Sequence, residues 1–102
     1  MRDRDFERYL SQDENITSKV KAVNTRVSKA RSVEEKLSVN LDEIVRDDEL
    51  TFRLLLRIKT ELNDNNGSYQ NAVRKYYTFI NNKEFPTIAE YGKFGKRLKS
   101  TI

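Results

Sequence analysis

Residues 68–82 constrain the fold of this chain more than any other stretch. The sequence SYQNAVRKYYTFINN places apolar side chains three and four residues apart, as one face of an α-helix does. Aromatic side chains bury the most area per residue, so we expect this helix to form the centre of the core in a domain of 102 residues. Tyr69 and Tyr77 lie nearer the edge of the stripe, where either hydroxyl could reach the surface. The stripe comprises Tyr69, Ala72, Val73, Tyr76, Phe79 and Ile80, with Tyr77 on its border.

The opposite face of this predicted helix is polar and carries no acidic residue. A face with this composition can meet an anion. Its members are Asn71, Arg74, Lys75, Thr78, Asn81 and Asn82.

A second, longer helix is predicted over residues 16–37. Its apolar positions are Ile16, Val20, Val23, Val27, Ala30, Val33 and Leu37, the strongest periodic signal in the chain. Its far side interleaves lysines with small hydroxyl residues, which can approach a phosphate backbone closely and donate hydrogen bonds to it. That side comprises Ser18, Lys21, Thr25, Ser28, Lys29 and Ser32.

Shorter elements complete the prediction. Phe6, Tyr9 and Leu10 indicate a short, frayed N-terminal helix, and residues 42–46 indicate one helical turn. A further helix, capped by Asp47 or Asp48, should extend to about Leu62. It is apolar over more than half of its circumference, so we expect it to be packed between the other helices.

The chain after this helix carries mainly loop and capping signals. Residues 63–67 form an asparagine-rich loop, and Ser68 is a good cap for the helix that follows. Thr87 and Glu90 fit a capping box that opens a basic helix or extension near the end of the chain.

These elements predict an all-α fold, a small orthogonal bundle of four to five helices. Residues 1–15 would form an N-terminal helical turn and connection, residues 16–86 the helical domain, and residues 87–102 the basic C-terminal helix or extension.

Composition narrows the possible functions. The chain has no cysteine and no histidine, which removes disulfides, thiolate metal sites and imidazole-based catalysis. We therefore expect no enzyme activity, catalytic residue, metal or cofactor. No apolar run reaches membrane-spanning length and no signal peptide is recognisable, so we expect a cytoplasmic protein without a membrane partner. The acidic residues between 42 and 49 match no calcium-loop template, and helix capping explains them better.

Positive charge is distributed unevenly. Residues 1–50 hold ten Lys/Arg against twelve Asp/Glu, a net charge of −2, whereas residues 51–102 hold ten against four, a net charge of +6. A second basic island, from Lys19 to Arg31, lies in a stretch without any acid between Asn15 and Val33. A solvated helix face is the commonest explanation of such an island, but surface helices usually mix charge signs, which favours contact with a nucleic acid.

Two parts of the sequence resemble a known family. The first part is a helix with Thr17, Val20, Val23 and Arg26 at helical steps, and the sequence NLDEIVRDDEL follows it. The second part is an asparagine-rich loop followed by the helix sequence AVRKYYTFI, which ends in NNKEFP. Together, over roughly residues 16–86, they resemble the core-binding, SAM-like domain of phage-type tyrosine recombinases and integrases. In that family a small helical bundle precedes the catalytic domain and clamps one face of duplex DNA. The resemblance implies a DNA-binding or interaction module, with no catalytic residue carried over because the histidine-containing motif is missing.

The first functional hypothesis is therefore a non-catalytic DNA-binding protein or regulator of phage or mobile-element type. It would need no cofactor, and a homodimer or a protein partner would strengthen its binding. Phosphate contacts would come from Lys21, Thr25, Lys29, Arg74, Lys75, Lys96 and Arg97, while Asn71 and Thr78 would reach base edges or sugars.

The alternative is a protein-interaction module, such as a phage-encoded inhibitor or adaptor of a host protein. It would bind through a helix face or through exposed Phe52, Tyr91 and Phe94. The positions of the basic side chains and of these three rings separate the two hypotheses.

Overall fold

The computed structural model describes residues 1–12 and 19–91, and within these ranges the chain is helical and contains no strand. Residues 88–91 begin a further helical segment. None of the described helices is both long and apolar enough to cross a membrane. The prediction of a small all-α bundle is confirmed. Its helices are α1 (Asp3–Ser11), α2 (Lys19–Leu37), α3 (Leu41–Ile44), α4 (Asp48–Glu61) and α5 (Ser68–Asn81).

Helix α5 is the centre of the bundle, as its aromatic stripe predicts. It packs against each of the other four helices. Ala72, Val73 and Tyr76 are fully buried, whereas Tyr69 and Phe79 are partly buried against the same core. Aromatic residues thus fill the space in which the helices meet.

The prediction that the Tyr77 hydroxyl could reach the surface is wrong. This side chain is 1% exposed, and its hydroxyl donates a hydrogen bond of 2.7 Å to Oδ1 of Asp48. Because α4 packs against α5, the border of the stripe is covered as well as its middle. The buried face of α5 is consequently wider than its apolar periodicity indicates.

Helix α2 follows its predicted pattern. Its buried residues are Val23, Val27, Ala30, Val33 and Leu37, all on one side of the helix. Ile16 and Ser18, at the predicted start, lie outside the described residues. The helix packs along α5 and α1, and this packing brings the polar faces of α2 and α5 close to each other.

Helix α1 is the short N-terminal helix that the sequence indicates, and it has nine residues. Phe6 and Leu10 are fully buried. The ring of Phe6 meets the ring of Tyr76 edge to face, with 5.0 Å between their centroids. Burial of two large apolar side chains stabilises a helix that would be marginal in isolation.

Helix α4 is capped as predicted but is not surrounded. Oδ1 of Asp47 accepts a hydrogen bond of 3.0 Å from the backbone amide of Leu50. Leu50 and Leu56 are nevertheless 45% and 39% exposed. A bundle of this size has too few helices to cover all sides of α4, so some of its apolar surface stays in water.

The start of α5 is capped by the preceding loop and not by Ser68. The carboxylate of Asp64, only 5% exposed, accepts hydrogen bonds from the backbone amides of Tyr69 and Gln70, at 3.2 and 2.9 Å. Gly67 occupies the N-cap position with a φ of 73°, which favours glycine. The loop can therefore turn back and place Asp64 under the first turn.

The predicted capping box near the C-terminal end is confirmed. Oγ1 of Thr87 donates to the Glu90 carboxylate at 2.9 Å, and the Glu90 amide donates to Oγ1 of Thr87 at 3.3 Å. Before it, Phe85 is buried and its ring lies 4.8 Å from that of Tyr77. The segment after α5 is thus held against the bundle.

Candidate nucleic-acid interface

A groove lies between α2 and the start of α5, which we call the first groove. It has a volume of about 360 Å³. Helix α2 supplies five of its residues and α5 supplies two, so the groove exists only because the two helices pack together. It is lined by Lys21, Ala22, Thr25, Arg26, Lys29, Ser68 and Asn71.

A smaller, second groove continues along α5. Its volume is about 130 Å³, and it is lined by Asn71, Arg74, Lys75, Thr78, Glu84 and Phe85. Asn71 lines both grooves, so they adjoin at this residue.

Seven of the predicted contact residues thus lie on one continuous surface, which is the geometry that the DNA hypothesis requires. They are Lys21, Thr25, Lys29, Asn71, Arg74, Lys75 and Thr78. Lys96 and Arg97, the other two predicted contacts, lie outside the described residues.

The cations that line the two grooves form what we call the basic face: Lys21, Arg26, Lys29, Arg74 and Lys75. Two of them are positioned by neighbouring groups. The ammonium of Lys29 lies 4.4 Å from the centroid of the Tyr69 ring, a favourable cation–π geometry. Nε of Arg74 donates a hydrogen bond of 3.0 Å to the backbone carbonyl of Phe85.

Several ion pairs within the described ranges lie away from the first groove. They join the N-terminal ammonium to Glu34 and Asp42, and they join Arg31 to Asp3, Arg53 to Glu49 and Arg57 to Glu61. None of these pairs includes Lys21, Arg26 or Lys29. Among the described residues, no paired carboxylate therefore neutralises the positive charge along the first groove, which can attract an external anion.

One carboxylate does reach the second groove. Glu84 lines it together with Arg74 and Lys75. It was missed because the acid-free face was predicted from α5 alone, whereas Glu84 belongs to the segment that folds back after the helix. None of the described residues that line the first groove is a carboxylate, so the positive potential is expected to be stronger there.

The backbone amides at the start of α5 contribute little to anion binding at the first groove. Those of Ser68, Tyr69 and Gln70 donate to the side chains of Asn66 and Asp64, and that of Asn71 donates to the carbonyl of Gly67. Because these four donors already have acceptors, anion recognition in the groove depends on side chains.

Arg26 is a residue of this surface that the predicted contacts omitted. Its Nη1 atom is buried and has no hydrogen-bond partner. A sequence signal was available, since Arg26 follows Ala22 by four residues and precedes Lys29 by three, which places all three on one face of α2.

The tyrosines of α5 have structural contacts. The hydroxyl of Tyr76 accepts a hydrogen bond of 2.9 Å from the backbone amide of Arg2 and donates to Asp42. Burial raises the pKa of Tyr76 and of Tyr77, and the hydrogen bonds to Asp42 and Asp48 raise it further. Residues 1–12 and 19–91 contain no group of three or more acidic side chains that could hold a metal ion.

The aromatic surface of the alternative hypothesis is only partly described. Phe52 and Tyr91 are both half-buried, and their rings lie 4.6 Å apart. The Tyr91 ring also stacks on Phe85 at 5.3 Å. Phe94 lies outside the described residues. The two described rings pack against each other and the core, which leaves less of their surface for a partner.

Comparison of the chain with protein-family models, curated protein sequences and solved structures finds no match.

Proposed function

We propose that this chain is a small, non-catalytic DNA-binding protein of phage or mobile-element type, which contacts the duplex backbone through the basic face. The observation that carries the proposal is the meeting of two separately predicted polar faces, one on α2 and one on α5, along two adjoining grooves. The resemblance to the SAM-like core-binding domain of tyrosine recombinases supports it through sequence pattern.

The contacts divide into two chemical classes. Lys21, Lys29, Arg74 and Lys75 neutralise phosphates and fix the position of the duplex. Asn71 lies where the grooves adjoin, and its carboxamide offers both donors and an acceptor to a sugar or base edge. The hydroxyl of Thr78 donates to the carbonyl of Arg74 at 3.0 Å, so it would meet DNA as an acceptor.

Affinity should depend strongly on salt. Each neutralised phosphate releases counterions, and four such contacts give a slope of log K against log salt of about −3.6. A single module with so few cations binds weakly, and dimerisation or a protein partner would strengthen it.

Fluorescence anisotropy with a random duplex of about 25 base pairs, at low and physiological salt, tests the proposal. One variant changes Lys21, Lys29, Arg74 and Lys75 to Gln. A matched control changes four exposed cations outside both grooves to Gln: Arg46, Arg53, Arg57 and Lys59. Both variants have the same net charge, so only the location of the lost charge differs, and circular dichroism checks that each is folded.

We expect the basic-face variant to lose binding and the control to keep most of it. Equal loss in both variants would mean that binding follows net charge alone and would refute the basic face as the interface. Absence of binding by the unchanged chain at low salt would refute the proposal and favour the protein-interaction alternative.

The alternative has weaker structural support. Leu50 and Leu56 are exposed on α4, but six residues separate them, which places them about 120° apart around the helix. They do not form one apolar stripe of the kind that docks into a partner.

A further inference from the structure

Arg26 has an unusual environment for an arginine on a surface helix. Among the described side chains, its Nη1 is the nitrogen or oxygen that is buried without a hydrogen-bond partner. A buried donor without an acceptor costs free energy, because it has lost its water and gained nothing in return. Arg26 also lines the first groove, so rotation of its guanidinium towards an acceptor bound there would remove that cost.

The surroundings of Arg26 determine the charge of such a ligand. Lys21 and Lys29 line the same groove, and its described lining contains no carboxylate. Hydroxyl groups of Thr25 and Ser68 lie along the walls. Three cations with hydroxyl donors match an oxyanion that has several acceptor oxygens, and the guanidinium fork suits two of those oxygens at once.

We propose that the first groove holds a single phosphate group and that Arg26 is its principal anchor. The guanidinium would turn into the groove and donate to two phosphate oxygens, while Lys29, held by the ring of Tyr69, supplies a second charge. The inference rests on the proposed function insofar as the phosphate is a phosphodiester of duplex DNA. A free phosphate ion has the same chemistry, and the test below separates the two sources.

The size of the groove fits a phosphate that carries a sugar. At about 360 Å³ it exceeds a bare phosphate, and Ala22 provides an apolar wall beside the cations. A backbone sugar could pack on that wall while its phosphate meets Arg26. The helix N-terminus adds little, because the first amides of α5 already donate to Asp64, Asn66 and Gly67.

The direct test uses NMR on the intact chain. Inorganic phosphate, and separately a duplex without terminal phosphates, is titrated into protein labelled with nitrogen-15, and the Nε–H signal of Arg26 is followed. We expect both ligands to shift this signal and the amides of the residues that line the first groove. This measurement needs no variant, so it decides the matter even if substitution of Arg26 disturbs folding.

Arg26→Gln and Arg26→Lys, with Arg53→Gln as the matched control, then measure the contribution of the guanidinium. Loss of charge-assisted hydrogen bonds should weaken phosphate and duplex binding about tenfold or more in Arg26→Gln. Arg26→Lys should recover part of it, because lysine keeps the charge but not the fork. Arg53 is exposed on α4 and lines neither groove, so its variant should bind almost normally.

Thermal unfolding distinguishes an anchor from a structural arginine. Without phosphate, Arg26→Gln should be as stable as the unchanged chain or more stable, because a buried unpartnered donor has been removed. Added phosphate should raise the midpoint of the unchanged chain more than that of the variant. A clear loss of stability in phosphate-free buffer would mean that Arg26 stabilises the fold and would overturn the proposal.

The binding outcomes separate this inference from the proposed function. Phosphate binding at Arg26 without duplex binding keeps the phosphate site and refutes the DNA-binding proposal. Duplex binding that Arg26→Gln leaves unchanged keeps the DNA-binding proposal and refutes the phosphate site. If neither ligand shifts the Arg26 signal, and the duplex does not bind, both are refuted.

Discussion

The two sides of α5 use charge in opposite ways. Towards α3 and α4, the hydroxyls of Tyr76 and Tyr77 donate to the carboxylates of Asp42 and Asp48. We call these four residues the tyrosine–aspartate corner. Towards α2, the same helix borders the basic face. There the ammonium of Lys29 lies over an aromatic ring, and none of the described residues that line the first groove is a carboxylate.

This difference shows which charged groups serve the fold and which are left for a ligand. In the tyrosine–aspartate corner each carboxylate accepts from a buried tyrosine, and Asp42 also lies 3.4 Å from the N-terminal ammonium. The carboxylates of the tyrosine–aspartate corner therefore have partners within the molecule. At the first groove the described part of the chain provides cations but no carboxylate, so a substitution there should affect binding more than stability.

Among these predictions, substitution of Tyr76 should separate the two regions most clearly, because it should change the free energy of unfolding and not the affinity for DNA. Tyr76→Phe removes the donor to Asp42 and the acceptor for the Arg2 amide. Because Tyr76 is fully buried, we expect the free energy of unfolding to fall by about 1–3 kcal/mol, with duplex affinity almost unchanged. Chemical denaturation and anisotropy measure the two effects.

Tyr69→Phe is the matched control for this substitution. It keeps the ring beneath Lys29 and should change the free energy of unfolding by about 0.5 kcal/mol or less. Equal destabilisation by the two substitutions would contradict the distinction between the corner and the basic face.

Alkaline pH should weaken the tyrosine–aspartate corner specifically. Burial and the carboxylate partners raise the pKa of Tyr76 and Tyr77 above the value of about 10 that tyrosine has in an unfolded chain. The stability that these protonated hydroxyls contribute is fully present below about pH 10 and is lost as the pH rises above it, because the unfolded chain releases those protons first.

Denaturant unfolding across this pH range, with tyrosinate absorbance as a second probe, checks the expectation. The double variant Tyr76→Phe/Tyr77→Phe should show a flatter decline of stability above about pH 10. Ionisation of all five tyrosines before any unfolding would disprove the assignment of the raised pKa values to these contacts.

Substitution of a single lysine of the basic face should give the smallest effect, a change in the salt dependence of duplex binding. Lys29→Gln should reduce the steepness of log K against log salt by about 0.9, the contribution of one phosphate contact. Lys59→Gln removes the same charge from the exposed side of α4 and should leave the slope unchanged. The same reduction in both variants would mean that the duplex does not distinguish the basic face from the rest of the surface.

Much of the fold could be predicted from local patterns. The apolar stripes of α2 and α5, the cap at Asp47 and the capping box at Thr87 all depend on residues within a few turns of one another. The acid-free polar faces of α2 and α5 were visible for the same reason. The resemblance to recombinase core-binding domains, and the function that it implies, stay predictions.

Other features depended on how the helices dock. Periodicity placed Tyr77 on the border of the α5 stripe, yet packing of α4 against α5 buries this side chain. The apolar pattern of α4 predicted that other helices would surround it, yet Leu50 and Leu56 are exposed. Asp64 caps α5 from five and six residues away, because the intervening loop turns back on itself.

The sequence alone thus indicates the helical segments, the apolar stripes of α2 and α5 and the sign of the charge on their polar faces, since these are properties of short stretches of chain. Tertiary packing decides that Asp42 meets Tyr76 across 34 residues and that Asp48 meets Tyr77 across 29. It also decides that the polar faces of α2 and α5 adjoin at Asn71, and that Nη1 of Arg26 is buried without a hydrogen-bond partner among the described residues. Contacts between distant segments carry no local periodicity, so only the folded chain shows which charges are satisfied within it and which remain for a ligand.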